Sequence, residues 1–328
     1  MLNDLIFAFN ATTPIILTVL IGYFLKRIGM MNADFSKAAN KLVFRVFLPV
    51  MLFMNVYGIE DISGYDFGFA IYAALATIIL FLIGIPSVML VSDKNERRGA
   101  LMQGIFRSNY ALIGIPLATS LFAEEGAAVA TLLSAIMVPI FNMLAVVALS
   151  IFGTKGKGSI KKVLLGIIKN PLIIGIFAGL LALGIRAIFV HFGISFRINS
   201  VPAVWKTLEY LKNLATPLAL LVLGAQFEFS AIPHLRREII TGVIIRSILV
   251  PLLGLGIAYI AFGTRFGGAE FAALVAVFCT PVAVSSVPMA QEMGADTSLA
   301  GQLVVFTTIL SALTIFVSSF VLKAVGVF

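Results

Sequence analysis

Charge is what this 328-residue chain has least of: Asp, Glu, Lys and Arg make up 12% of it, about half the share of an ordinary soluble domain. With 60% apolar residues and a mean hydropathy of +1.09, there are too few charges to cover a wetted surface, which excludes a soluble protein. A single cysteine, Cys279, excludes an intramolecular disulfide and a thiolate metal site. Two histidines, no H-E-x-x-H pattern, no nucleophile elbow and no paired carboxylates at depth set aside an intramembrane enzyme. Acid inside the apolar runs is limited to Glu209, with Lys212 one turn on; the pair reads either as a proton-coupling element or, more economically, as an i,i+3 ion pair near an interface. The formal charge of +8 is scattered among apolar runs and forms no basic face, so nucleic acid is not expected as a partner.

Long apolar runs are what the chain does have. Ten stand out, at 5–25, 40–57, 67–91, 100–122, 127–152, 165–188, 203–226, 239–262, 271–291 and 299–322. At roughly 20 residues per crossing they leave no room for a sizeable soluble domain. Asp4 precedes the first run and Lys26 and Arg27 follow it, the reverse of a secretory signal, so it reads as a spanning helix that starts outside. Loops on one side carry fourteen Lys and Arg, those on the other only four, and the first two of the poorer loops present Glu60, Asp61, Asp66, Glu124 and Glu125 instead. By the positive-inside rule both termini are expected outside, with the Gly- and Lys-rich stretch 153–164 in the cytoplasm.

That stretch divides the chain into residues 1–152 and 165–328, five runs each. Pro14 and Gly22 in the first run are spaced like Pro171 and Gly179 in the sixth; Asn109 and Pro116 in the fourth match Pro281 and Pro288 in the ninth; Leu48-Pro49 in the second matches Thr216-Pro217 in the seventh. A repeated unit with five crossings must enter the membrane from opposite sides in its two copies. The expected fold is therefore an all-α membrane protein of ten helices in two inverted five-helix repeats, the architecture of secondary transporters.

Within those repeats, Arg107-Ser-Asn-Tyr-Ala-Leu-Ile-Gly-Ile-Pro116 and Thr280-Pro-Val-Ala-Val-Ser-Ser-Val-Pro288 place proline mid-span. Proline removes an N–H donor and crowds the preceding turn, so both segments are expected to unwind near the bilayer centre. Irregular backbone survives there only when buried in protein or lining a wet cavity. Two half-helix N-termini meeting at that depth favour a small anion. Candidate binding residues are Asn109, Gly114, Pro116, Pro281, Ser285, Ser286 and Pro288, with Tyr110 either stacking on substrate or packing. Asn142 either lines the site or bonds a neighbouring helix. Arg45 is expected to snorkel to the interface, whereas Arg107, with Arg246, is expected to draw organic anions into the inner vestibule.

With the short basic central loop, Lys41-Leu-Val-Phe-Arg-Val-Phe-Leu-Pro-Val-Met-Leu-Phe53, Asn170-Pro-Leu-Ile-Ile174 and the two broken segments, the whole chain resembles the auxin efflux carrier family. It is most similar to the bacterial malonate-transporter-like branch and, in plan, distantly to sodium-coupled bile acid carriers. The resemblance implies that the broken fourth and ninth helices cross, with substrate bound beside the crossover and carried by an elevator-like shift. The plant carriers' long central insertion is absent, so regulation by phosphorylation is not expected. Of their Asn-Pro-Asn-Thr-Tyr motif only Asn109 carries over, in Ser108-Asn109-Tyr110-Ala111.

The expected function is carriage of a small organic anion, a malonate-like dicarboxylate or an auxin-like weak acid, without a cofactor or metal, in a bacterial inner (plasma) membrane. A sodium-coupled symporter, an anion channel and a receptor are the rival classes. A homodimer stays open.

Overall fold

In hydrocarbon every backbone N–H and C=O must find its partner within the protein, and for a chain this apolar the helix is the economical answer. A computed structural model describes residues 2–59, 67–152 and 165–328, with side chains from residue 13 onward; among the described residues there are helices and no β-strand. The expected linker 153–164 and the acidic Glu60, Asp61 and Asp66 lie outside the described residues. The helices are α1 (Leu2–Arg27), α2 (Ala33–Tyr57), α3 (Gly68–Val91), α4 (Asn95–Phe106), α5 (Ile115–Phe152), α6 (Pro171–His191), α7 (Pro202–Gln226), α8 (Phe229–Phe262), α9 (Gly268–Phe278), α10 (Ser286–Met293) and α11 (Thr297–Ala324). Among the described residues six helical stretches are long and apolar enough to cross a bilayer: α2, α3, Tyr110–Phe152, α6, α8 and α11. Side chains such as Ile260, 86% exposed, and Leu90, 78% exposed, face outward where only lipid can accept them in such numbers.

Straight, the 38 residues of α5 would run about 57 Å, nearly twice the hydrocarbon thickness. The helix is in fact folded on itself. Phe122 (φ −135°, ψ 30°) and Ala123 (φ 44°, ψ −129°) leave helical space, and Ala123 is the one non-glycine residue of positive φ among the described residues. A Cβ on Gly126 would lie 2.2 Å from the Ala118 carbonyl oxygen, and the Tyr110 hydroxyl donates to the Ala130 carbonyl at 3.0 Å. Residues eight apart in a straight helix are separated by about 12 Å, so the chain reverses at Phe122–Ala123.

Pro281 lies in a non-helical stretch, as expected, but Pro116 acts differently from what the sequence suggested. Three five-residue π-turns, Val43–Phe47, Tyr110–Gly114 and Ile245–Leu249, each end two residues before a proline: Pro49, Pro116 and Pro251. A proline cannot bond the carbonyl four residues back and crowds it; widening the turn lets the residue just before it bond five back instead, as Leu48 N–H does to Val43, Ile115 to Tyr110 and Val250 to Ile245. The carbonyl orphaned by Pro251, that of Ser247, accepts from Thr314 Oγ1 at 3.0 Å. Thus Pro116 widens its helix and does not unwind it; the break lies upstream, at Arg107–Asn109, where there is no proline.

Small residues set the packing, as expected where the solvent gives helices no hydrophobic reason to associate. A Cβ on Gly22 of α1 would lie 2.1 Å from the Leu221 carbonyl oxygen of α7, and one on Gly224 of α7 would lie 1.9 Å from that of Val19. Cβ atoms on Gly175 and Gly179 of α6 would lie 2.5 and 2.9 Å from the Pro49 and Phe53 carbonyl oxygens of α2. Elsewhere α9 lies along α5, and α11 touches α1, α4 and α8.

Candidate functional site

Two interruptions meet inside this bundle. After α4 the chain runs extended through Arg107 (φ −89°, ψ 121°), and after α9 it runs through Cys279 to Ser285 before α10 begins. The two stretches form one antiparallel bridge, Ser108 to Val282, and Asn109 N–H donates to the Pro281 carbonyl at 2.8 Å. Side chains satisfy further groups of this irregular backbone. Ser108 Oγ donates to the Ala276 carbonyl at 3.2 Å and pairs with Thr280 Oγ1, while Thr307 Oγ1 of α11 accepts from Val282 N–H at 3.1 Å. Gly114 lets the crossing close, since a Cβ there would sit 2.9 Å from that of Ala276.

Arg107 occupies the crossing and is 1% exposed. Its Nη2 donates to Asn142 Oδ1 at 2.8 Å and Ser285 Oγ at 2.7 Å; its Nη1 donates to Gln103 Oε1 at 2.7 Å and Ser286 Oγ at 3.3 Å and lies 2.8 Å from Met289 Sδ. Every one of these partners is neutral, and no carboxylate reaches the guanidinium among the described residues. Beside it Asn109, 8% exposed, has an Nδ2 with no hydrogen-bond partner. The segment beginning at Tyr110 opens without a side-chain cap from Asn109.

These groups line a cavity of about 660 Å³, within the range of small-molecule sites. Arg107, Ser108, Asn109, Tyr110, Asn142 and Ser285 form its deep end, and it extends past Thr216 and Pro217 to Asn55, Gly58, Lys212 and Asn213. Some 27 Å along α2 from Gly58, by its helical rise, the opposite side is shut. There Asn40 Nδ2 donates to Gln226 Oε1 at 3.1 Å and to Gln291 Oε1, and Gln226 Nε2 donates to Gln291 Oε1 at 3.0 Å. Arg45, its side chain 59% exposed, reaches Glu292 at 3.4 Å next to them.

Several expected site residues are elsewhere. Arg246 is 1% exposed and lies off the cavity; its Nε and Nη2 are spent on the carbonyls of Thr280 and Val277 at 2.6 to 2.9 Å, so it caps the end of α9 and cannot draw anions into a vestibule. Pro116, Pro281, Pro288, Gly114 and Ser286 shape or support the crossing without facing the cavity. Tyr110 packs, its hydroxyl committed to Ala130, yet contributes wall. Asn142 does both things open to it, bonding Arg107 and lining the site. Lys212 forms no ion pair with Glu209 among the described residues, contrary to the economical reading, and lines the cavity instead. Glu238, just before the eighth apolar run, is 5% exposed and holds Arg97 at 3.0 Å.

An all-helical membrane protein whose crossed, interrupted helices wall a polar chamber belongs to the class of transporters. The chain is a member of the membrane transport protein family, whose profile matches residues 7–319. It is similar to an uncharacterized transporter of Methanothermobacter thermautotrophicus, 24% identical over 308 residues, covering 92% of this chain and 94% of that one. A second uncharacterized transporter, from Methanocaldococcus jannaschii, is 28% identical over 218 residues, 64% of this chain and 66% of the other.

Proposed function

We propose that the protein is a secondary carrier of small organic anions of the carboxylate class, built as ten crossings in two inverted five-helix repeats. One observation carries the substrate class: a fully buried guanidinium without a carboxylate partner shares a chamber wall with the unpaired Nδ2 of Asn109. A charge at such depth costs several kcal/mol unless neutralised, and an anionic guest is what neutralises it. Asn109, Ser285 and Asn142 then supply neutral donors around the same oxygen atoms.

Support for the inverted repeat comes from reciprocal contacts. The Pro14/Gly22 and Pro171/Gly179 match sets 157 residues between equivalent positions, and the Pro49 and Pro217 match sets 168. Gly22 abuts Leu221, and its equivalent Gly179 abuts Phe53, which is the equivalent of Leu221. A contact and its image in the other half are what an axis between two copies requires.

In this reading α1, α2, α6 and α7 stand still while the crossing and its flanking helices slide. The chamber in the observed conformation reaches towards Gly58 and is sealed at Asn40, Gln226 and Gln291; with the basic loops inside, it is the outward-facing state, in a cell membrane. The driving force we infer is a proton gradient or the membrane potential, because Pro281 to Pro288 contains no acidic residue to bind sodium.

The test is flux into proteoliposomes for a panel of carboxylates, with proton, sodium and voltage gradients imposed separately. Saturable, trans-stimulated uptake of at least one carboxylate, cut tenfold or more in Arg107→Gln, is the expected result; non-saturating current would make the protein a channel, and binding without flux a receptor.

A further inference from the structure

The chamber contains a second cation that the substrate reading above does not use. Lys212 of α7 lines it, and among the described residues its ammonium makes no hydrogen bond and no ion pair; Glu209, one turn earlier, acts on it only at longer range and does not line the chamber. Among the described residues, none that lines the chamber is an aspartate or glutamate. The wall therefore presents two positive charges, Arg107 at the deep end and Lys212 towards the mouth, with only neutral groups between them: Asn109, Asn142, Ser285, Thr216, Asn213 and Asn55. Lys212 stands five residues before Pro217, so roughly 7.5 Å along α7 from another residue of the same wall.

We propose that Lys212 is a second charge-reading subsite, which makes the preferred guest a short dianion with one carboxylate on Arg107 and the other on Lys212. The inference rests on the carboxylate-carrier reading and sharpens it. A monoanion at Arg107 leaves the Lys212 ammonium uncompensated in a narrow chamber with low-dielectric walls, whereas a dicarboxylate balances both charges at once. The chamber's 660 Å³ exceeds the bulk of a three- to five-carbon diacid, leaving space for bridging water around the polar rim. The two cations also come from different parts of the fold: Arg107 from the crossing, Lys212 from the α1–α7 pair. A dianion thus ties those parts together in the observed conformation, and a monoanion touches only one of them.

Isothermal titration of the purified full-length protein decides the matter, using malonate, succinate and glutarate beside their monomethyl esters, which keep the shape and lose one charge. The expected result is that at least one diacid binds about tenfold or more tightly than its monoester. Lys212→Gln should bring that ratio close to one while leaving monoester affinity within about twofold; Lys212→Arg should keep the ratio well above one. Arg107→Gln should weaken binding of both kinds by tenfold or more. Equal affinity for diacid and monoester in the unaltered protein, or a ratio that survives Lys212→Gln, would show that Lys212 is neutralised by another group and overturns the proposal with the carboxylate site intact. Failure of every carboxylate to bind the unaltered protein, with its thermal unfolding cooperative, sinks the underlying carrier reading and this one with it.

Discussion

Arg107 and Arg246 are the same residue, equally buried, at the two interrupted helices, and yet they do different work. The donors of Arg246 end on main-chain carbonyls, Thr280 and Val277, fixed by the course of the chain itself. It acts as a bolt, placing positive charge at the C-terminal end of α9, where the helix dipole is negative. The donors of Arg107 end on the side chains of Asn142, Ser285, Gln103 and Ser286, each able to turn away on its own χ angles, and one flank of the group faces the chamber. Partners that can rotate suit a charge that, on the proposed function, exchanges its neighbours for a guest and back. Burial alone does not distinguish a structural cation from a functional one; the kind of acceptor does.

Four substitutions would break or sharpen that contrast. The largest effect is expected for Arg246→Gln, which strips the carbonyls at the end of α9: a loss on the order of 3 kcal/mol in stability, seen as a lowered thermal midpoint or failure to purify as a monodisperse species. Arg107→Gln should cut carboxylate uptake by tenfold to a hundredfold with a smaller change in midpoint, since glutamine still bonds some of its neighbours; comparable stability losses at the two positions would erase the distinction. Asn142→Ala removes one acceptor of Arg107 and one chamber donor, and should weaken apparent substrate affinity by roughly fivefold to tenfold, measured as KM for uptake. Smallest is Thr314→Val, beside Arg246: it leaves the Ser247 carbonyl without its hydroxyl donor, at about 1 kcal/mol in midpoint stability and with KM unchanged.

Much of this contrast was out of reach of the sequence, for identifiable reasons. Lipid exposure writes itself into composition, so the helical runs and the polar, glycine-bearing stretch around Asn109 could be read directly. Proline was read as a breaker because it removes a bond four residues back; the π-turns at Val43–Phe47, Tyr110–Gly114 and Ile245–Leu249 show that one widened turn absorbs that loss. The capping contacts of Arg246 are not legible because its partners are backbone carbonyls, which carry no residue identity. Lys212 was paired with Glu209 on spacing alone, although i,i+3 spacing permits contact without compelling it. The run 203–226 reads as a span although Lys206, Glu209, Lys212 and Asn213 dilute its hydropathy; Lys212 and Asn213 line the chamber.

The seal opposite the chamber mouth has a consequence of its own. Its three members, Asn40, Gln226 and Gln291, are uncharged amides, and the neighbouring Arg45 is mostly in solvent. Amide pairs trade nearly one for one with water, so parting them demands little beyond room for a few solvent molecules. On the proposed function, salt would reach such a latch only through the neighbouring Arg45–Glu292 pair, whose arginine is largely hydrated already, so its opening is expected to differ little between brine and dilute buffer.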